Sequence, residues 1–195
     1  SFGLTEPNAG SDSRGSQTNA QQEGDTWKIN GAKIFITNGS NPLCAGTTVQ
    51  TVTDRRDGRP ELTCFIVETG TPGFTVKTMH GKLMWRSSDT AELYFEDCRV
   101  PAASMLGQRG AGSKQMLQTL DSGRLAIAAM GLGCAQGAFE LALEYAKQRV
   151  QFGQPIIKFQ STAFKLADMA TKIEHARALL YKACWLRDTN QPFAK

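Results

Sequence analysis

Two patterns of apolar and polar positions divide this chain. Between Trp27 and Val100, apolar and β-branched residues come in short runs, at 26–29, 33–37, 47–52, 62–67, 74–78 and 91–95. Gly, Pro, Asn and Asp punctuate them, and no helical period runs between them. Short strands at this spacing predict a compact sandwich or barrel. Asn30-Gly31 between the first two runs predicts a type I′ hairpin, whose two central residues need positive φ. The polar stretch 54–60 predicts a connection between the third and fourth runs. After Pro101 and the glycines Gly107, Gly110 and Gly112, the period changes. Leu125, Ala128, Leu132, Ala135, Phe139 and Ala142 recur every three or four residues, as one face of a helix does. Gly153 and Pro155 break that stripe. A second follows through Phe159, Ala163, Leu166, Ala170, Ile173, Leu180 and Cys184. Two helices of roughly thirty residues, with small side chains on their apolar faces, read as an antiparallel hairpin belonging to a larger bundle. The fold class expected is a β domain over 1–103, then part of an α-helical bundle over 104–195.

Charge sharpens the division. The net balance is only +4, but residues 1–100 carry −2 and residues 101–195 carry +6. That gives no ground for a nucleic-acid partner. No uninterrupted apolar run approaches the ~20 residues of a membrane helix, so no membrane span is expected. Five cysteines without a C-x-x-C spacing, and two histidines ninety-five positions apart, offer no zinc set in register. The thiols are expected to be reduced and mostly buried. Ser1 opens the chain without Met or a targeting pattern, as a piece of something longer would.

Two glycine-rich segments invite a chemical reading. Gly131-Leu132-Gly133-Cys134-Ala135-Gln136-Gly137 lies inside a helical stripe, whereas a dinucleotide loop follows a strand and opens a helix. Close helix approach is the expectation there. Residues 3–15 differ, stringing glycines, hydroxyls and carboxylates with hardly an apolar side chain. Such a loop presents N–H and hydroxyl donors to an anion or heterocycle, or else is a solvated surface loop.

The order of residues decides between these readings. Gly3-Leu4-Thr5-Glu6, two residues, Ala9-Gly10-Ser11-Asp12, two residues, Gly15 resembles the first signature of the acyl-CoA dehydrogenases. Residues 29–39, ending Phe35-Ile36-Thr37-Asn38-Gly39, are similar to that family's second flavin segment. Residues 86–101 resemble the end of its middle β domain. Leu120-Asp121-Ser122-Gly123-Arg124, Arg149-Val150-Gln151-Phe152-Gly153 and Phe159-Gln160 resemble its C-terminal helices, in the short-chain (butyryl-CoA) and short/branched-chain branch. The resemblance implies FAD-dependent α,β-dehydrogenation of an acyl-CoA thioester. A carboxylate takes the α proton, and the β hydrogen leaves as hydride to the flavin.

The implied flavin contacts are Phe2, Gly3, Leu4, Thr5, Gly10, Ser11, Phe35, Ile36 and Thr37, with Leu4 and Thr5 as donors. Phe35 stands where many relatives have Trp. Ser11, Asp121 and Arg124 would hold the CoA moiety. Residue type alone leaves Asp121 and Arg124 an ordinary surface pair. Arg149, Phe152 and Gln160 would reach the FAD of a neighbouring subunit in a homotetramer. Alone, Arg149 could equally satisfy helix C-terminal carbonyls. No catalytic base is expected within this chain. The position before Arg124, where the isovaleryl and long-chain branches carry Glu, is Gly123, so the base would lie downstream of Lys195. By the same resemblance, the family's first helical domain and last helices are expected to lie outside these residues. Implied partners are an acyl-CoA substrate and an electron-transferring flavoprotein; implied compartments are the bacterial cytoplasm or the mitochondrial matrix. An acyl-CoA oxidase, or a CoA-binding assembly module without chemistry, remains open. Met84-Trp85 and Ser113 depart from the family pattern. Arg55, Arg56 and Arg59 form a basic loop, either solvated or placed for the CoA 3′-phosphate.

Overall fold

A computed structural model describes residues 1–193. Seven strands form one sheet: β1 (Phe2–Gly3), β2 (Asn19–Glu23), β3 (Thr26–Thr37), β4 (Gly46–Arg56), β5 (Arg59–Glu68), β6 (Phe74–Thr78) and β7 (Thr90–Pro101). Their order is β1-β4-β2-β3-β7-β6, with β5 on β4. Two helices, α1 (Gly112–Gln148) and α2 (Gln160–Asp188), flank a small hairpin of β8 (Val150–Gln151) and β9 (Gln154–Pro155). The chain divides into two compact units, Ser1–Gln118 and Thr119–Lys195. The division falls inside α1 rather than at residue 103. The start of α1 belongs with the strands, because Met116 is buried and a Cβ on Gly112 would lie 2.8 Å from the Leu62 carbonyl oxygen.

The predicted strands all form, but the Asn30-Gly31 hairpin does not. β3 runs straight through these residues, and the turn sits earlier, at Gly24-Asp25, where Glu23 pairs with Thr26. Gly31 instead serves a crossing. Its φ is +141°, and a Cβ there would lie 2.6 Å from the Thr18 Cα. Opposite it, β7 carries an extra residue, and the Asn30 side chain closes the irregularity by bonding Asp97 (3.1 and 2.8 Å). The polar stretch 54–60 also shrinks. β4 and β5 continue until Arg56 pairs with Arg59 around an Asp57-Gly58 turn, with φ +50° and +74°. Cross-strand pairing outweighs polarity there, as it does in β2, whose Asn-Ala-Gln-Gln-Glu offers no alternation to read.

Side chains at alternate positions meet in the core. Trp27 and Ile29 on β3 join Val49, Phe65, Val67, Leu93, Phe95, Cys98 and Val100. Trp27 packs against Phe65 at 5.1 Å, and Phe74 stacks on Phe95 at 5.0 Å. Of the cysteines only Cys64 and Cys98 are buried, and burial pushes both thiols up to about 11. Cys134 is exposed, so the expectation of mostly buried thiols holds for the β unit alone.

In the helical unit, Leu166, Ile173 and Leu180 are the buried residues of α2, seven apart, as the stripe predicts. Arg177 reaches across to Gln136 at 2.8 Å. α1 is much more open, and its buried Ala146 has no counterpart in the predicted stripe. A Cβ on Gly131, Gly133 or Gly137 would meet nothing within 4 Å, so the close approach expected of these glycines is not made among the described residues. By length and composition α1 is apolar enough to cross a membrane. No uninterrupted apolar run marks it in the sequence, because Gln136 and Glu140 are embedded among Ala, Gly and Leu. The same composition suits a bundle's inner helix, for which polar interruptions on an outer face cost little.

Gly31→Ala should lower stability by about 3 kcal/mol or more, since it adds both backbone strain and a clash with Thr18. Urea unfolding measures this; a loss below about 1 kcal/mol would mean the crossing of Thr18 over β3 yields easily.

Candidate active site

The first glycine-rich loop is fastened from beneath by a buried ion pair. Glu6 and Ala9 exchange backbone hydrogen bonds of 2.9 and 3.2 Å, closing a tight turn, and the Glu6 carboxylate points inward. It accepts from Lys33 Nζ and the Gln17 N–H, both at 2.7 Å, from the Thr18 N–H at 3.1 Å, and from the Ser16 hydroxyl. Lys33 Nζ also donates to the Leu4 carbonyl and to Ser16 Oγ, each at 3.2 Å. The Lys33 and Glu6 side chains are 0% and 5% exposed. Gly3 makes room for the lysine stem: a Cβ there would lie 3.1 Å from Lys33 Cγ.

Burial disfavours the charged form of both groups. On Glu6 it is outweighed by the Lys33 charge and by hydrogen bonds from Lys33, Ser16 and Gln17, which hold the carboxyl at about 2 against an ordinary 4.5. On Lys33 burial prevails and holds the amine below its usual range, with Glu6 opposing. The sequence reading assigned Glu6 to the loop but missed Lys33. Its signal was present, because Lys33 falls at an inward position of β3 in step with Trp27 and Ile29.

Thr5 and Phe35, two of the expected flavin residues, lie on segments joined to this anchor. The Thr5 carbonyl accepts from the Ile34 N–H at 2.9 Å, bringing the loop beside the segment that carries Phe35. The Thr5 N–H and hydroxyl have no hydrogen-bond partner among the described residues. Between Lys33 and Ile36 the register with β7 slips by one residue, making a bulge at Ile34-Phe35. Phe35 takes φ +61° there and is 61% exposed. A bulge re-aims a side chain, and a non-glycine residue at positive φ stores strain of order 1–3 kcal/mol. Ile36 does not share this surface, because the bulge turns it into the core, 3% exposed. Phe2 and Thr37 are exposed, as are Gly10 and Ser11, and Gly3 is buried under the loop.

The other expected residues belong to the helical unit. Asp121 and Arg124 form the i,i+3 ion pair at 2.5 Å, on α1. Beside them Gly123 is exposed, with open space where a Cβ would be. The helix break is a two-residue hairpin: Phe152 and Gly153, at φ +51° and +77°, connect β8 to β9. Phe152 is 93% exposed at its tip and meets Phe159 edge-on at 6.1 Å. Arg149, just before the hairpin, and Gln160, opening α2, are exposed. Ion-paired Glu174 and the carboxylates of Glu140 and Glu144 face solvent. Arg56 pairs with Asp54 at 3.3 Å and Arg55 donates to the Ser16 carbonyl at 3.3 Å, so two arginines of the basic loop are engaged within the protein. Met84 and Trp85 are exposed, Trp85 at φ +55°, and nothing in the structure explains their departure from the family pattern.

The Glu6 carboxyl stays ionised in the fold down to about pH 2, whereas the unfolded chain takes up a proton near 4.5. Stability from this group is therefore complete above 4.5 and lost as pH falls towards 2, about 3 kcal/mol in all. Glu6→Gln should be less stable than the wild type by about that amount at pH 7, with the gap closing through this window. Parallel pH profiles in urea unfolding would contradict it.

Residues 1–98 match the family described as acyl-CoA dehydrogenase, middle domain, and residues 110–195 match acyl-CoA dehydrogenase, C-terminal domain. A probable acyl-CoA dehydrogenase of Bacillus subtilis is 51% identical over 195 residues, covering 100% of this chain and 51% of that protein. The short-chain specific acyl-CoA dehydrogenase of Megasphaera elsdenii is 50% identical over 193 residues, covering 98% and 50%. The solved butyryl-CoA dehydrogenase from M. elsdenii superposes with a TM-score of 0.92 at 50% identity, again over 98% of this chain and 50% of that one. The chain spans about half the length of the curated relatives it matches. Over the strands and the two long helices alike, it belongs to the acyl-CoA dehydrogenase family.

Proposed function

We propose that this chain supplies the flavin-facing and CoA-contacting part of an FAD-dependent dehydrogenase that converts short-chain acyl-CoA thioesters to trans-2-enoyl-CoA. The observation that carries the reading is the pairing, on adjoining segments, of unpartnered Thr5 donors with a strained, exposed Phe35. An isoalloxazine ring calls for hydrogen-bond donors along its polar edge and an apolar plane against its body. A fold with no use for them would relax the bulge and bury the ring. Bound there, FAD supplies the hydride acceptor that no side chain can provide.

The chain's own residues then position and stabilise. Thr5 offers donors where negative charge develops, and Phe35 keeps water from that face. Arg149 carries a planar fork of donors suited to a diphosphate. Phe152 at the hairpin tip suits an adenine, with Gln160 beside the same corner. Ser11, Asp121 and Arg124 contact the CoA arm. The proton-abstracting carboxylate lies outside residues 1–195. Glu6 is locked as the anion of a buried pair, Glu140, Glu144 and Glu174 face solvent, and position 123 is glycine. The Arg149 corner serves a neighbouring subunit's cofactor in a homotetramer, and electrons pass on to an electron-transferring flavoprotein.

FAD titration of the full gene product tests this. Arg149→Ala should weaken FAD binding about tenfold or more, the scale of a charge-assisted contact, and leave the circular dichroism unchanged, since the side chain is exposed. Equal affinity would remove this corner from the cofactor site. Light scattering should show the FAD-loaded protein as a tetramer; an FAD-loaded monomer would exclude cofactor sharing. Butyryl-CoA should bleach the flavin of the full gene product and leave that of FAD-reconstituted residues 1–195 unchanged. Bleaching by the shorter chain would require a base among its own carboxylates.

A further inference from the structure

We propose that Lys33, held by Glu6 and Ser16, is a positioning residue that aims and strengthens the Thr5 N–H as a donor to the flavin. The inference rests on the flavin reading above and adds to it a residue that never touches the cofactor.

The geometry starts from one peptide plane. Among the described residues every peptide bond is trans, so a carbonyl and the N–H that follows it point in opposite directions. Lys33 Nζ draws the Leu4 carbonyl inward at 3.2 Å. The Thr5 N–H on the same plane is therefore turned outward, where it meets no partner among the described residues. The next plane is pinned as firmly. The Thr5 carbonyl accepts from Ile34 N–H, and the Glu6 N–H donates to Ala9. Thr5 thus stands between two fixed planes, its outward N–H backed by a cation.

An ammonium on a carbonyl oxygen polarises the whole peptide, and in a dry interior that effect is stronger than in water. The Thr5 N–H becomes a better donor, most valuable when charge arrives on whatever it faces. Glu6 and Ser16 keep the cation in place. Glu6 balances its charge, while Ser16 accepts from Lys33 and donates to Glu6. A purely structural fastening needs no charge at this site, since apolar residues of similar volume often serve as well. A salt bridge aimed at one carbonyl under a surface loop has a more specific use.

The test uses the full FAD-binding protein and the double variant Lys33→Met with Glu6→Gln, which removes both charges and keeps the side-chain volumes. Glu6→Gln alone is a second variant: it removes the carboxylate that balances the ammonium, so burial disfavours the cation without that opposition. In whichever variant is folded by circular dichroism, FAD should bind at least tenfold more weakly, and the flavin midpoint potential should move to a more negative value. The potential is the deciding readout, because a residue that merely stabilises the loop would not move it once FAD is seated. In the wild type, hydrogen exchange of the Thr5 amide should slow when FAD is added. An unchanged potential in a folded variant, or unchanged exchange at Thr5 on FAD binding, would overturn the proposal. A wild-type protein that binds no FAD would overturn the flavin reading itself, which keeps the two failures apart.

Discussion

The buried contact between Lys33 and Glu6 is the constraint around which the β unit's candidate site is built. Two opposite charges with almost no exposure are costly to bury, and the cost is met only because every donor and acceptor finds a partner. Lys33 spends its donors on Glu6, Ser16 and Leu4. Glu6 accepts from Lys33, Ser16, Gln17 and Thr18. These contacts join the glycine-rich loop, and the approach to β2 that directly follows it, to the middle of β3. The loop has few apolar side chains of its own, so this polar anchor does the work that hydrophobic burial does elsewhere in the sheet.

Backbone irregularities then turn a regular sheet into a surface with chemistry. β3 and β7 are paired over most of their length, and their register slips twice. The slip closed by Asn30 and Asp97 lies where Thr18 crosses over Gly31. The slip at Ile34-Phe35 turns Ile36 into the core and lifts Phe35 out of it. Without that second bulge, strict alternation from Lys33 would point Phe35 inward. The hairpin between β8 and β9 repeats the device on a smaller scale, holding Phe152 at positive φ on an exposed tip. Large aromatic rings held in strained, open positions in both units form a common motif of this chain.

The two units also differ in how complete they are. The β unit has a closed core with Phe65, Leu93, Phe95 and Ile29 at its centre. The helical unit has two long helices whose apolar faces are only partly covered by each other, with most of α1 open. Small residues along α1 leave space rather than fill it. That contrast matches a chain spanning about half the length of its relatives.

Much of this was legible in the amino-acid sequence. Strand-forming runs located five of the seven sheet strands, because β-branched and aromatic residues cluster there. The apolar period marked both helices, and Gly153 with Pro155 marked their break. The ordered string from Gly3 to Gly15 carried the family, since nine residues in register over thirteen positions are far more specific than composition. Three features were decided only by tertiary structure. The Asn30-Gly31 pair reads locally as a turn, yet long-range pairing with β7 and the passage of Thr18 make it part of a continuous strand. The polar β2 is a strand because its neighbours supply the hydrogen bonds, which leave no trace in its own side chains. The meeting of Lys33 with Glu6 joins residues twenty-seven positions apart. Local propensity acts over a few neighbours along the chain, whereas a buried charge finds its partner only when the fold brings distant segments together.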